Sequence, residues 1–242
     1  MGRVKKEKRI VLILLLIAIF LFSFKILLAV PQGAVISNNV TETPSPPSAG
    51  SITTPGGSFT KMVLNVTQQN YQWKAYVGNV TGKLTLDDAS GYTIYDWTLA
   101  TVNGEVYASR SNSINWASIA CATDTVIQNE ETAIGMSDSD IDSITNTFDQ
   151  TAHRQFYVGT VNIAANTCRA IATYVNDTPQ SASQNAIFQE VLLTDGTNLV
   201  YTALINNDQQ GYDFGIYDFQ MIVADNESST TGNTFYFWVE LG

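Results

Sequence analysis

Between Ile10 and Val30 only Ser23 and Lys25 interrupt a run of apolar side chains, and a basic cluster of Arg3, Lys5, Lys6, Lys8 and Arg9 precedes it. At about 1.5 Å rise per residue, a helix of that length crosses the roughly 30 Å hydrocarbon core of a bilayer. Positive charge ahead of the run favours keeping residues 1–9 in the cytoplasm and sending everything after Val30 outward. Lys25, near the outer end, reaches the interface by extending its stem. The expectation is a signal anchor over 10–30 in a single-pass plasma-membrane protein with an extracellular C-terminal part. The competing reading is a cleaved secretory signal that releases the protein. Against cleavage, Leu27 stands where a small residue is wanted before Ala29, and Pro31 is a poor first mature residue. A pilin-type cut after Arg9 would lack the usual preceding glycine or alanine.

Charge is divided unevenly. After position 30 the chain has six basic residues, Lys61, Lys74, Lys83, Arg110, Arg154 and Arg169, against 21 acidic ones, a net of −15. A surface so acidic repels phosphate backbones, which excludes nucleic acid as a partner. With about 150 residues per domain as a guide, one outer domain is expected.

Residues 31–58 lose their large apolar side chains and fill with Thr43, Pro44, Ser45, Pro46, Pro47, Gly50, Pro55, Gly56 and Gly57. That composition reads as an extended stalk carrying a domain over 59–242. Asn-x-Ser/Thr sequons at Asn39, Asn65, Asn79 and Asn226 suit glycosylation of an exported chain, and a fifth at Asn176 is weakened by Pro179. The two cysteines, Cys121 and Cys168, read most simply as one disulfide in an oxidising compartment, with two separate buried thiols as the alternative. One histidine and no C-x-x-C leave a zinc or haem site short of ligands, so no cofactor is expected.

Strand patterns recur through the outer domain: Tyr71–Val80, Lys83–Asp87, Tyr92–Thr101, Glu105–Arg110, Gln155–Ile163, Arg169–Val175, Ala186–Thr194, Asn198–Ile205, Tyr217–Ala224 and Thr234–Leu241. Asn103-Gly104 predicts a hairpin joining Trp97–Val102 to Glu105–Arg110, and Asp195-Gly196 predicts another tight turn. The fold class expected is mainly β, an antiparallel sandwich of immunoglobulin-like or jelly-roll-like kind. A short helical insertion interrupts it at about 124–150, where Val126, Ile127 and Ala133 suit one helix ended by Gly135. A second suits Ile141, Ile144 and Phe148, capped by Ser139. The last strand carries large apolar residues on both faces, so it should be central or covered.

Several clusters are candidate sites. Asp138, Asp140, Asp142 and Asp149 occupy positions 1, 3, 5 and 12 of an EF-hand-like calcium loop, but Ser143 stands where glycine is wanted and Asp149 where a longer Glu is wanted. Capping and first-turn acids of a helix explain the same residues. His153 lacks an accompanying nucleophile motif and reads as structural. Asp87 with Asp88, or Asp96 with Glu105, are candidate carboxylate pairs for glycoside hydrolysis, though a turn role suffices for the first. Tyr212, Phe214, Tyr217 and Phe219, with Asp213 and Asp218 around Gly211 and Gly215, suit a sugar-stacking loop, against the plainer reading that half of these aromatics face the core as the chain enters the strand from Tyr217.

Over about residues 58–242 the chain resembles a group of uncharacterised archaeal membrane-anchored cell-surface proteins. The likeness is carried by the run WKAYVGNVTGKLTLDDASGYTIYDW from Trp73 to Trp97, by Phe148 through His153 to Gly159, and by Glu190 to Leu204. It implies an archaeal envelope location and a helix across Asp142, Ser143 and Ile144, against calcium, and assigns no activity. The function expected is that of a structural or adhesion protein and not an enzyme. An extracellular module for carbohydrate or another ligand is the first alternative and an envelope hydrolase the second. The partners expected are the membrane through residues 10–30 and envelope glycans or other surface proteins. The sequence leaves self-association open.

Overall fold

A computed structural model describes residues 30–226 and 232–242. The anchor expected over 10–30 lies outside them except for Val30, and among the described residues no helix is long and apolar enough to cross a membrane. The strands are β1 (Gln32–Gly33), β2 (Trp73–Gly78), β3 (Lys83–Asp87), β4 (Thr93–Thr98), β5 (Gly104–Ser109), β6 (Ala120–Cys121), β7 (Phe156–Val158), β8 (Val161–Ile163), β9 (Ala170–Ala172), β10 (Gln189–Thr194), β11 (Leu199–Leu204), β12 (Gln209–Gln210), β13 (Ile216–Tyr217), β14 (Phe219–Ala224) and β15 (Tyr236–Leu241). Helices α1 (Asp124–Ile134) and α2 (Ile144–Thr147) form the insertion between β6 and β7. The fold is mainly antiparallel β with few helices, consistent with a β-sandwich.

The main sheet runs β1-β15-β5-β11-β10-β6, with β9 also pairing β10. Every residue of β10 and β11 is buried. Both faces of these strands must therefore be covered, and two different sets of elements cover them. On one face Val106, Ala108, Leu192, Tyr201 and Ala203 pack with Met221 and Val223 of the β2–β14 ribbon and with Ile127, Ile134, Ile144 and Phe148 from the helices. On the other, Tyr107, Val191, Leu193 and Val200 pack with Phe156, Val158 and Ile163 of the β7–β8 hairpin and with Ile119 and Cys168.

The local signals explain most elements. Thr123 caps α1 and Gly135 ends it at φ 78°. The β10–β11 turn is closed by Asp195, whose Oδ1 accepts the N–H groups of Thr197 and Asn198, with Gly196 at φ 98°. The second helix is shorter than expected. Its cap is Ser143 and not Ser139, it covers only Ile144–Thr147, and Ile141 is 94% exposed. Arg169 holds both helices, bonding Asp124 and the carbonyls of Thr145 and Phe148.

The Asn103-Gly104 hairpin does not form. The strand before it pairs with β3, while β5 pairs with β11 and β15. Gly104, at φ 120°, is needed for another reason: a Cβ there would collide with the carbonyl oxygen of Glu240 on β15. The proposed stalk also begins differently. Pro31 is buried and Gln32–Gly33 pair with Trp238 and Val239, so the chain is tied to the sheet edge before it runs out along residues 34–70.

Cys121 and Cys168 are bonded, with Cα atoms 4.9 Å apart and 47 residues of separation. Because this link joins β6 to the segment leading into β9, it pins both outer strands of β10. Cys121→Ser is expected to lower stability by about 3 to 4 kcal/mol, read as a lower denaturant midpoint with a steeper slope, because the unlinked unfolded chain exposes more surface.

Candidate interaction surface

The β3–β4 ribbon stands apart from the main sheet, its strands pairing only with each other among the described residues. Its register sets Leu84 opposite Trp97 and Leu86 opposite Tyr95, so these four share one face, while Lys83, Thr85, Asp87, Asp96 and Thr98 lie on the other. The polar face is internally satisfied. Lys83 bonds Asp96 at 2.6 Å, Asp87 accepts from the hydroxyls of Thr85 and Thr93, and Asp88 accepts the N–H groups of Ser90 and Tyr92. The apolar face is not covered: Leu86 is 56%, Tyr95 60% and Trp97 50% exposed, with the Tyr95 and Trp97 rings edge to face at 5.0 Å. A two-stranded ribbon is marginal alone in water, and an uncovered aromatic face marks a contact surface.

That face borders a groove. Leu84, Leu86 and Trp97 line it together with Tyr76 of β2, Val80 just after it, Phe237, Val239 and Leu241 of β15, and residues 32–44 of the chain leaving β1. The layer over this side of the main sheet has only two strands, β2 and β14, and the β15 side lies under this groove. Among the described residues β2 pairs only with β14, and its other edge faces the groove.

A second surface is the β12–β13 turn. Tyr212 and Tyr217 stack, with centroids 6.2 Å apart and planes 17° from parallel, and Tyr217 donates to Asp213 at 3.0 Å. Phe214 is 64% exposed at φ 68°, a backbone region that a bulky side chain seldom adopts. The aromatics of this loop thus face outward rather than into the core, with Tyr217 half-buried; the next aromatic, Phe219, packs against the core.

The other candidates resolve as structure. Asp140 accepts the N–H of Ser137, Asp142 accepts from the Asn70 amide while its carbonyl takes the Trp73 indole N–H, and the carbonyl of Asp138 accepts from Ser143 and Asn146. Asp149 takes the Gln150 amide, and no group of three potential metal ligands occurs among the described residues. His153 is fully buried: Nε2 accepts the N–H groups of Thr167 and Cys168, which leaves Nδ1–H to donate to the Arg154 carbonyl at 2.7 Å. It braces the disulfide segment as a neutral ring, its pKa lowered by burial. Asp87 with Asp88 serves the ribbon turn. Asp96 and Glu105 lie in different sheets. Among the sequons, Asn39, Asn65 and Asn79 are exposed and Asn226 is half-buried, whereas Asn176 is engaged with Gln210 through its amide nitrogen.

The carboxyl pair that does form was not legible in the sequence. Glu105 and Glu240 sit directly opposite on β5 and β15. Glu240 accepts from the Tyr107 hydroxyl and from the Gly159 N–H, so it clamps the β7–β8 turn to the sheet. At 7% and 4% exposure the pair offers no open side to a sugar ring. Burial, reinforced by Glu240 and opposed by Arg154, pushes Glu105 up to about 8, and burial raises Glu240 as well.

Unfolded Glu105 ionises near 4.5, whereas the folded protein keeps its proton to about 8. The native state therefore holds the extra proton, and this contribution to stability is lost as pH rises from 4.5 to 8. His153 acts oppositely below its ordinary 6.5, so the window from 6.5 to 8 leaves the histidine out, and the other raised carboxyls, Glu190 and Glu240, add to the slope in the same direction as Glu105. Denaturation across that window should show stability falling with pH by up to ~1.4 kcal/mol per unit for this proton, and Glu105→Gln should remove that part of the slope.

Compared with known proteins, the chain matches no family, no curated protein and no solved structure.

Proposed function

We propose that this protein is a structural or adhesive component of the cell envelope. Residues 10–30 hold it in the membrane, the basic segment 1–9 stays inside, and the acidic β domain stands outside as an immunoglobulin-like or jelly-roll-like surface module. The carrying observation is the uncovered apolar face of the β3–β4 ribbon beside the open groove. Aromatic side chains presented on one face of a ribbon and surrounded by a strongly acidic surface suit a specific macromolecular contact, because burying them supplies most of the binding energy while like charge discourages indiscriminate association. The sequons, the disulfide and the resemblance to archaeal surface proteins agree with this placement.

A second reading, an extracellular carbohydrate-binding module, is favoured by the Tyr212–Tyr217 stack with Asp213 beside it.

One experiment separates the two. Cells displaying the full chain should lose the domain to added protease without lysis, and domain protected until lysis would refute the location. On those cells, Tyr95→Ser with Trp97→Ser should cut retention of envelope fragments at least tenfold, as the loss of hot-spot aromatics does, with the melting temperature unchanged. If Tyr212→Ala with Phe214→Ala produces that loss instead, and free sugars compete, the carbohydrate reading replaces the first.

A further inference from the structure

The groove lacks a strand, and the chain carries an unused one. Residues 59–66, Phe-Thr-Lys-Met-Val-Leu-Asn-Val, lie outside every element, with Met62 56%, Leu64 83% and Val66 79% exposed and Phe59 and Val63 more exposed still. At period two, Thr60, Met62, Leu64 and Val66 share one face, while Phe59, Lys61, Val63 and the sequon residue Asn65 share the other. Three apolar side chains in succession on the first face are the pattern of a strand with that face buried, yet here it meets solvent.

We propose that this segment of one copy inserts as a strand along the free edge of β2 in a second copy. Met62, Leu64 and Val66 then cover the floor made by Phe237, Val239 and Leu241, under the ribbon's Leu84, Leu86 and Trp97. The proposal deepens the structural reading above and rests on it.

Three features select this occupant. The first is the layer imbalance, since a third strand beside β2 would roof the side of the main sheet that the β2–β14 ribbon leaves open and would give the free edge its hydrogen bonds. The second is charge. Between Glu42 and Lys74 the only charged residue is Lys61, and residues 43–86 form the longest stretch of an otherwise acidic outer chain without a carboxylate, so the segment brings none into an apolar groove. The third is reach. Residues 34–44 line the groove, and residues 45–58 beyond them span up to about 46 Å when extended, which lets the segment leave its own domain while β1 stays paired with β15. On the other side, residues 67–72 span only about 20 Å, so the neighbour must sit close to the start of β2. Asn65, facing away from the floor, keeps its sequon accessible. Because the segment and the groove are different patches of one molecule, each copy donates one strand and accepts another, and the contact propagates head to tail unless it closes into a ring.

The test uses the full chain in detergent, at equal micelle concentration for all variants. Wild type should self-associate with increasing concentration, and Leu64→Asp should remain single-copy with an unchanged melting temperature, because Leu64 is 83% exposed in its own domain. A fluorescent peptide of residues 58–67 should then bind the Leu64→Asp chain at least tenfold more tightly than the same peptide carrying Leu64→Asp. Association of Leu64→Asp equal to wild type, or equal binding of the two peptides, overturns the proposal. A lowered melting temperature of single-copy Leu64→Asp also overturns it, since that would place the segment in its own groove as a hairpin with β2. If the peptide fails while Tyr95 and Trp97 are still needed to retain envelope fragments, strand donation falls and the surface-contact function stands; if neither holds, both fall.

Discussion

Complete burial of β10 and β11 is the constraint from which the rest of the fold follows. A hairpin whose twelve residues are all withdrawn from water needs partners on two faces and two edges. The β2–β14 ribbon and helices α1 and α2 supply one face, the β7–β8 hairpin the other, β5 one edge, and β6 with β9 the opposite edge. These pieces come from widely separated parts of the chain, so each needs its own tie. The Cys121–Cys168 bond fastens β6 to the segment before β9, His153 braces that segment by accepting two backbone N–H groups, and Arg110 clamps β5 to α1 through both oxygens of Glu130.

Polar groups within these layers are placed where they join elements. Glu240 links β15 to the β7–β8 turn through Gly159, and Glu190, wholly buried, accepts the N–H of Ile222 and so joins β10 to β14. Burial holds both carboxyls toward their protonated form, that of Glu190 strongly. An acid that keeps its proton avoids the large cost of a buried charge and still fixes the distance between two layers.

The unroofed part of the sheet follows from the same layering. Two strands cannot cover a sheet of seven, and the side they leave open is bordered by a ribbon whose own apolar face has no cover. Two features that would each be a liability in an isolated molecule thus lie together, at the place where a third strand would serve both.

The sequence by itself determined the local features. The period-two runs mark the strands, Gly135 marks the end of α1, Asp195-Gly196 marks the central turn, and the lone cysteine pair marks the disulfide. It misassigned features that depend on which strands become neighbours. Asn103-Gly104 has the composition of a hairpin turn but serves a close approach to Glu240. Glu105 reads as a partner for Asp96, while its neighbour is Glu240. Only the tertiary structure decided these pairings, the groove and the uncovered ribbon. Periodicity reports which side of a strand is buried, because that is a local balance of apolar and polar side chains. It carries no record of the partner, because pairing between segments more than a hundred residues apart is settled by the joint burial of all layers at once.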